Sequence, residues 1–120
     1  MSGPPLSLLV LRCRDLDAAV AFYETLGLSF QAEEHGGGPA HWSSQVGTAV
    51  MELYPALDEE PVRRSSLADV RLGFAVSDLD GAVAAVGSEA VVCPPADRGG
   101  ERVAVVSDPD GRRVELTARA

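Results

Sequence analysis

The chain has 120 residues, of which 46% are hydrophobic and 23% charged, a composition typical of one ordinary globular domain. Its formal net charge is −8, from 18 acidic and 10 basic residues, which argues against a nucleic-acid partner because phosphate binding needs a positively charged face. No apolar run reaches the roughly 18 residues of a membrane span, the chain shows no secretion signal, and its two cysteines do not make a disulfide framework. We therefore expect a cytoplasmic protein with no membrane partner.

An internal repeat divides the chain. The segment Asp-Leu-Asp-Ala-Ala-Val-Ala at residues 15–21 recurs at residues 78–84 with six of seven residues identical, an offset of 78 − 15 = 63 residues. The same offset carries Glu52 onto Glu115. Two features that keep one spacing predict two copies of one structural module. The predicted boundaries are module one at residues 6–54, a polar linker at 55–68 and module two at 69–117.

Module one predicts the order strand, helix, strand, strand, strand. An apolar run precedes a helix that Asp15 or Asp17 caps and Gly27 ends. A two-residue turn at Gly47 and Thr48 joins the last two strands. The predicted elements are a strand at 6–13, a helix that runs to residue 26, and strands at 28–34, 40–46 and 49–54.

Module two repeats this order. Its helix is shorter because Gly87 ends it early, and residues 108–111 form the turn before the last strand. The predicted elements are a strand at 70–76, a helix from residue 80, and strands at 90–93, 101–107 and 113–117.

The hairpin turn fixes which side chains of module one share a face. Side chains alternate along a strand, so the turn at Gly47 places Ser43 opposite Glu52 and His41 opposite Tyr54. The face that carries Met51 and Leu53 is apolar and should pack on the helix. The opposite face should be open and should carry Leu8, Val10, Arg12, His41, Ser43, Gln45, Val50, Glu52 and Tyr54.

Alternation gives module two an open face of the same kind. Arg71 should lie on this face, together with Gly73 and Ala75. Glu115 alternates with apolar neighbours and is the repeat counterpart of Glu52. We therefore expect the two sheets to cup toward each other and to bring both glutamates into one pocket.

Several short motifs together cover nearly the whole chain. They are Arg14-Asp-Leu-Asp17, Phe22-Tyr23, Leu26-Gly27-Leu28, Met51-Glu-Leu-Tyr54, Phe74-Ala-Val-Ser-Asp-Leu-Asp80, Asp108-Pro-Asp-Gly111 and Val114-Glu-Leu116. In the order and spacing of these motifs, the chain resembles the vicinal oxygen chelate superfamily, which includes glyoxalase I, extradiol dioxygenases, fosfomycin resistance enzymes and bleomycin resistance proteins. The resemblance implies an α+β fold in which two tandem βαβββ modules form a cupped, incomplete barrel, and it implies a homodimer in many members.

The resemblance also implies where a metal ion would bind. Metal-using members take one ligand from the first strand and one from the fourth strand of each module, and glyoxalase-like members use His, Glu, His and Glu. In this chain the four positions carry Leu8, Glu52, Arg71 and Glu115, so half of the set is missing. We therefore expect no cofactor. The alternative is a divalent Mn, Fe, Co, Ni or Zn ion held by Glu52, Glu115 and His41.

Arg71 suggests a replacement for the missing cation. A guanidinium cannot bind a metal but can hydrogen-bond carboxylates, so Arg71 is predicted to neutralise Glu52, Glu115 or both. The alternative is that Arg71 extends into solvent. His41 likewise has a simpler interpretation, as a pocket residue that hydrogen-bonds a ligand or water.

Three functions follow from these residues. The first is a metal-free protein that binds and sequesters a small molecule, as resistance proteins do, with Arg71, His41, Tyr54, Ser43, Leu8 and Arg12 as ligand-binding residues. The second is a metal-dependent lyase, isomerase or dioxygenase of the glyoxalase type. The third is a metal-independent isomerase or cyclase in which Glu52 or Glu115 moves a proton.

Overall fold

The computed structural model describes residues 3–34, 36–56 and 70–119. Residues 57–68 of the predicted linker, and residue 69 at the predicted start of module two, lie outside these ranges. The chain divides into two compact units, Met1–Glu59 and Glu60–Ala120. No helix within the described ranges is long and apolar enough to cross a bilayer.

The first unit is a four-stranded mixed sheet with one helix. Its strands lie in the order β1-β4-β3-β2, and β1 runs parallel to β4 while the other neighbours are antiparallel. The elements are β1 (Leu8–Cys13), α1 (Leu16–Thr25), β2 (Gln31–Glu33), β3 (His41–Val46) and β4 (Ala49–Pro55).

The second unit has the same plan. Its order is β5-β8-β7-β6, again with the first and last strands parallel. The elements are β5 (Arg71–Val76), α2 (Leu79–Val86), a short 3-10 helix (Ser88–Ala90), β6 (Val91–Arg98), β7 (Glu101–Ser107) and β8 (Arg113–Ala118). The predicted α+β fold of two βαβββ modules is confirmed.

Both helices begin at an aspartate cap and end near a glycine. The carboxylate of Asp15 accepts the Ala18 N–H at 3.0 Å, and Asp78 accepts the Gly81 N–H at the same distance. Asp15 is therefore the cap, and Asp17 lies in the first turn. The second helix starts one residue earlier than predicted because Asp78 caps it. Gly87, which follows that helix, has φ 94°, a backbone conformation that favours glycine.

The core of each unit lies between its helix and one face of its sheet. In the first unit Tyr23 of α1 is fully buried, and Met51 and Leu53 of β4 are buried with it. In the second unit Val114 and Leu116 of β8 are fully buried. In β4 and β8 burial thus falls on alternate residues, and the residues between them lie on the other face of each sheet.

The second strand of each module differs from its prediction. In module one β2 covers only residues 31–33, against a predicted 28–34. In module two β6 is longer than the predicted 90–93, and its pairing with β7 shifts register between Val91 and Cys93 and again between Cys93 and Ala96. Pro94 and Pro95 lie in the second shift. Because proline has no N–H to donate, it interrupts a regular ladder and favours bulges.

The turn between β7 and β8 is built around a buried carboxylate. Asp108 accepts the backbone N–H groups of Asp110 and Arg112, each at 2.9 Å, and the Arg112 guanidinium at 3.0 Å. The same guanidinium lies 3.6 Å from Asp110. The turn was predicted, but the buried ion pairs that stabilise it were not.

Candidate functional site

The side chains that point away from α1 form a continuous surface, here called the open face of the first sheet. As predicted, Ser43 pairs with Glu52 across β3 and β4, and Val10 of β1 lies on the other side of Glu52. The neighbouring row begins at Arg12, which pairs with Tyr54. The first row consists of Val10, Glu52, Ser43 and Gln31. The second row consists of Arg12, Tyr54, His41 and Glu33.

At the centre of this face, His41 and Glu52 are in contact. The imidazole Nε2 lies 3.4 Å from Glu52 Oε2, with 1% of the His41 side chain and 19% of the Glu52 side chain exposed. His41 Nδ1 lies 3.3 Å from the Pro39 carbonyl oxygen. Because a carbonyl oxygen only accepts hydrogen bonds, Nδ1 is the donor there, and Nε2 is the imidazole nitrogen that faces Glu52. The pair therefore places an imidazole nitrogen beside a carboxylate.

Tyr54 stacks on this imidazole. The two ring centroids are 4.2 Å apart and the rings are within 8° of parallel, while the Tyr54 hydroxyl oxygen lies 3.5 Å from His41 Nε2. The guanidinium carbon of Arg12 lies 4.9 Å from the centroid of the Tyr54 ring, a cation–π geometry. Arg12, Tyr54 and His41 thus form a layered group beside Glu52.

Glu33 is a member of this face that sequence reasoning missed. It pairs with His41 across β2 and β3, and the Ser43 hydroxyl donates a hydrogen bond to its Oε1. The predicted strand at 28–34 was given no register, so its side chains were not assigned to a face. No turn residue fixes the register of β2 on β3, so alternation from His41 alone could not assign Glu33 to a face.

An apolar border lies beside these polar groups. Leu8 and Val10 of β1 are 52% and 40% exposed, and Val10 is the direct strand partner of Glu52. The predicted site residues Leu8, Arg12, His41, Ser43, Glu52 and Tyr54 therefore lie on one surface that combines exposed hydrocarbon with two carboxylates.

The open face of the second sheet carries the two remaining predicted residues. Arg71 Nη1 lies 3.5 Å from Glu115 Oε1, with 58% and 40% of the two side chains exposed. Glu115 pairs with Gly73 of β5, just as Glu52 pairs with Val10 in the first sheet. Arg71 thus contacts one of the two carboxylates proposed for it. The expectation that Glu52 and Glu115 share one pocket stays a prediction.

These donors do not fit the metal site that the resemblance implies. Leu8 has no atom that binds a metal, and the protonated guanidinium of Arg71 is engaged with Glu115. Over residues 3–34, 36–56 and 70–119, no three His, Cys, Asp or Glu side chains form a group that could hold a metal ion. We therefore derive no chemical step through a metal.

Comparison with known proteins decides the family. The family model described as Glyoxalase/Bleomycin resistance protein/Dioxygenase superfamily matches residues 6–116. The chain belongs to this superfamily. A protein from Mycolicibacterium smegmatis, described as uncharacterized, is 32% identical over 114 residues, which cover 92% of this chain and 90% of that protein.

Solved structures show that the fold of this superfamily member is shared. One is TnmS3, an antibiotic binding protein from Streptomyces sp. CB03234, with a TM-score of 0.70, 22% identity, and coverage of 100% of this chain and 99% of that one. Another is the oxidase ChaP-H1, with a TM-score of 0.71, 21% identity, and coverage of 98% of both chains. At these identities the likeness shows the fold alone, and the two neighbours, an antibiotic binding protein and an oxidase, differ in function.

Proposed function

We propose that this superfamily member binds and sequesters a small organic molecule, without a metal ion, and that the open face of the first sheet makes the contacts. The observation that supports this most directly is the contact of buried His41 with Glu52. A polar pair that is held in place before a ligand arrives reduces the cost of ordering side chains on binding. The structural neighbour TnmS3, an antibiotic binding protein, is consistent with this role.

The chemistry of the face defines the ligand. Leu8 and Val10 offer exposed hydrocarbon, and the carboxylates of Glu33 and Glu52 accept hydrogen bonds. A matching ligand has an apolar body and a hydroxyl or ammonium group that donates to these oxygens. The net charge of −8 favours the approach of cationic compounds over anionic ones.

Calorimetric titration tests this proposal with four probes: metal-free bleomycin, benzylamine, benzyl alcohol and benzoate. We expect saturable binding of a probe that carries an ammonium group, and no binding of benzoate to this face. Replacing Glu52 by Gln should weaken binding roughly tenfold, the effect of losing one charge-assisted hydrogen bond. The matched control is Glu101→Gln, an exposed glutamate of the second unit. Failure of bleomycin and benzylamine to bind, or an equal loss in both variants, would contradict the proposal.

A second candidate function is metal-independent acid–base catalysis. The specific observation in its favour is the His41 imidazole held between the Pro39 carbonyl and the Glu52 carboxylate. Such an arrangement fixes the ring and lets Nε2 take or give a proton. Incubation with small ketones in D₂O, followed by NMR, measures deuterium incorporation next to the carbonyl. Catalysed exchange that is lost in both His41→Asn and Glu52→Gln would favour this function over binding alone.

Two further properties belong to the same proposal. We infer a homodimer, as the superfamily resemblance implies, and sedimentation velocity measures it directly. We also infer a cytoplasmic location, because Cys13 and Cys93 are free thiols, which suits a reducing compartment.

A further inference from the structure

Two arginines lie directly opposite each other on the second sheet. Arg71 of β5 and Arg113 of β8 are partners in the parallel pair, where neighbouring strands are about 4.8 Å apart. The next residues along the two strands, Leu72 and Val114, are less exposed, and Val114 is fully buried on the side of α2. Both guanidinium groups therefore extend from the open face.

Like charges directly opposite each other destabilise a sheet, so this pair needs a compensating anion. Among the residues that the structure describes, the ion pair found here is the one between Arg71 and Glu115, at 3.5 Å. Arg71, Arg113 and Glu115 together carry a formal charge of +1, in a chain whose net charge is −8.

Other arginines of the second unit are compensated differently. Arg102 and Arg112 each contact two carboxylates, so their surroundings carry an excess of negative charge. The partners are Asp80 and Asp97 for Arg102, and Asp108 and Asp110 for Arg112. The open face around Arg71 and Arg113 therefore differs in sign from the surroundings of these two arginines.

We propose that Arg71 and Arg113 bind the carboxylate or phosphate group of a small organic acid. Each guanidinium presents several N–H donors in a planar fork that matches two oxygens of such a group. Guanidinium groups on adjacent strands are close enough to donate to the same oxyanion. The site goes beyond the proposed function, because it lies on the other sheet and selects a ligand group of opposite charge.

Gly73 provides space for the rest of the ligand. It lies two residues along β5 from Arg71, on the same face, and pairs with Glu115. A Cβ atom built on Gly73 would meet only the Glu115 carbonyl oxygen, at 3.9 Å, so the space above the backbone is open. At the equivalent position of the first sheet stands Val10. An aromatic or short aliphatic body fits over the bare backbone at Gly73.

Glu115 competes with the ligand for Arg71. An exposed ion pair of this kind is weak because water screens it, so an incoming oxyanion can displace the carboxylate. The remaining negative charge of Glu115 opposes an anionic ligand. Removing that charge should therefore strengthen binding, the reverse of the effect of removing either arginine.

An NMR titration at constant ionic strength tests the site. The probes are benzoate, phenyl phosphate and, as a neutral analogue, benzyl alcohol. We expect saturable shifts of amides around Arg71 and Arg113 with one or both anions and none with benzyl alcohol. Tighter binding of benzoate assigns a carboxylate ligand, and tighter binding of phenyl phosphate assigns a phosphate ester.

Matched variants separate a built site from general charge attraction. Arg71→Gln and Arg113→Gln should each lower the affinity for the anion roughly tenfold, and Glu115→Gln should raise that affinity. Arg119→Gln removes the same charge just beyond β8 and should change the affinity less than about twofold. The proposal is overturned if neither anion saturates, if benzyl alcohol shifts the amides around Arg71 and Arg113 equally, or if Arg119→Gln weakens binding as much as Arg113→Gln. Unchanged amide dispersion confirms that each variant is folded.

Discussion

His41 Nε2 lies 3.4 Å from Glu52 Oε2, although the two residues are eleven positions apart along the chain. The β3–β4 hairpin brings them together, because its two-residue turn sets Ser43 opposite Glu52 and leaves His41 on the same face, two residues away. The contact therefore depends on strand register and on alternation, both of which the turn determines. Glu52 consequently has a structural role as well as a proposed functional one.

Removing the Glu52 carboxylate should destabilise the first unit. Glu52→Ala deprives buried His41 of its carboxylate contact, and we expect the free energy of unfolding to fall by about 1 kcal/mol. Glu52→Gln keeps an acceptor oxygen, so its free energy of unfolding should fall by less. Urea denaturation measures both. Since the chain has two histidines, imidazole ¹⁵N spectra, assigned with His35→Ala, should show a changed His41 in Glu52→Ala. An unchanged His41 signal would contradict the contact.

The ring of Tyr54 should matter more for stability than its hydroxyl group. Tyr54→Phe keeps the stack on His41 and the contact with Arg12, so we expect almost no change in the free energy of unfolding. Tyr54→Leu removes the aromatic face and should cost about 1 kcal/mol. A double-mutant cycle with Arg12→Met isolates the cation–π contribution by denaturation. Equal losses in the Phe and Leu variants would show that the hydroxyl, not the ring, makes the important contact.

Asp108 should be among the least replaceable residues of the second unit. Its carboxylate is 1% exposed and accepts two backbone N–H groups as well as the Arg112 guanidinium. Asp108→Ala leaves a buried arginine with one fewer carboxylate, and breaking a buried pair typically costs about 3–5 kcal/mol. Thermal unfolding of this variant, compared with exposed Asp97→Ala, checks the prediction. Similar melting temperatures for the two variants would argue against it.

The helix cap can be tested against an adjacent residue of the same type. Asp15→Ala removes the acceptor for the Ala18 N–H and should cost about 1 kcal/mol. Asp17→Ala removes an exposed carboxylate from the first turn of α1 and should cost a few tenths of a kcal/mol. Denaturation of the two variants side by side distinguishes a specific hydrogen bond from a general effect of negative charge near a helix start. The prediction fails if Asp17→Ala lowers the free energy of unfolding more than Asp15→Ala does.

Metal analysis tests the interpretation of Leu8 and Arg71. Tag-free protein incubated with Mn, Fe, Co, Ni or Zn and then desalted should retain far less than one metal ion per chain, because these two positions supply no ligand atom. Elemental analysis gives the stoichiometry. Near-stoichiometric metal that is lost in Glu52→Ala would contradict the metal-free proposal and would direct attention to lyase and dioxygenase assays.

The sequence predicts the plan of the fold well because the relevant signals are local or repeated. The offset that joins residues 15–21 to residues 78–84 identifies two equivalent modules, and the turn at Gly47 fixes the register of Ser43 with Glu52. The role of Glu33 was missed because it depends on the pairing of a three-residue strand whose register no turn residue reveals.

Two other features depend on tertiary structure. The burial of Arg112 is unexpected for a residue type that is mostly exposed, and it becomes favourable only because the chain folds Asp108 and Asp110 around the guanidinium. The register shifts of β6 near Pro94 and Pro95 determine which face Cys93 occupies. Simple alternation cannot predict the faces of a strand that contains such shifts.

The shared plan of the two units also has a consequence for folding. β1 and β5 each pair in parallel with the last strand of their own unit, so each has a similar but incorrect partner strand in the other unit. Exchange of these strands, within a chain or between two chains, is the characteristic misfolding route of proteins built from repeats. The difference between Val10 and Gly73 does not prevent such exchange, because a Cβ atom at the position of Gly73 would meet only the Glu115 carbonyl oxygen, at 3.9 Å.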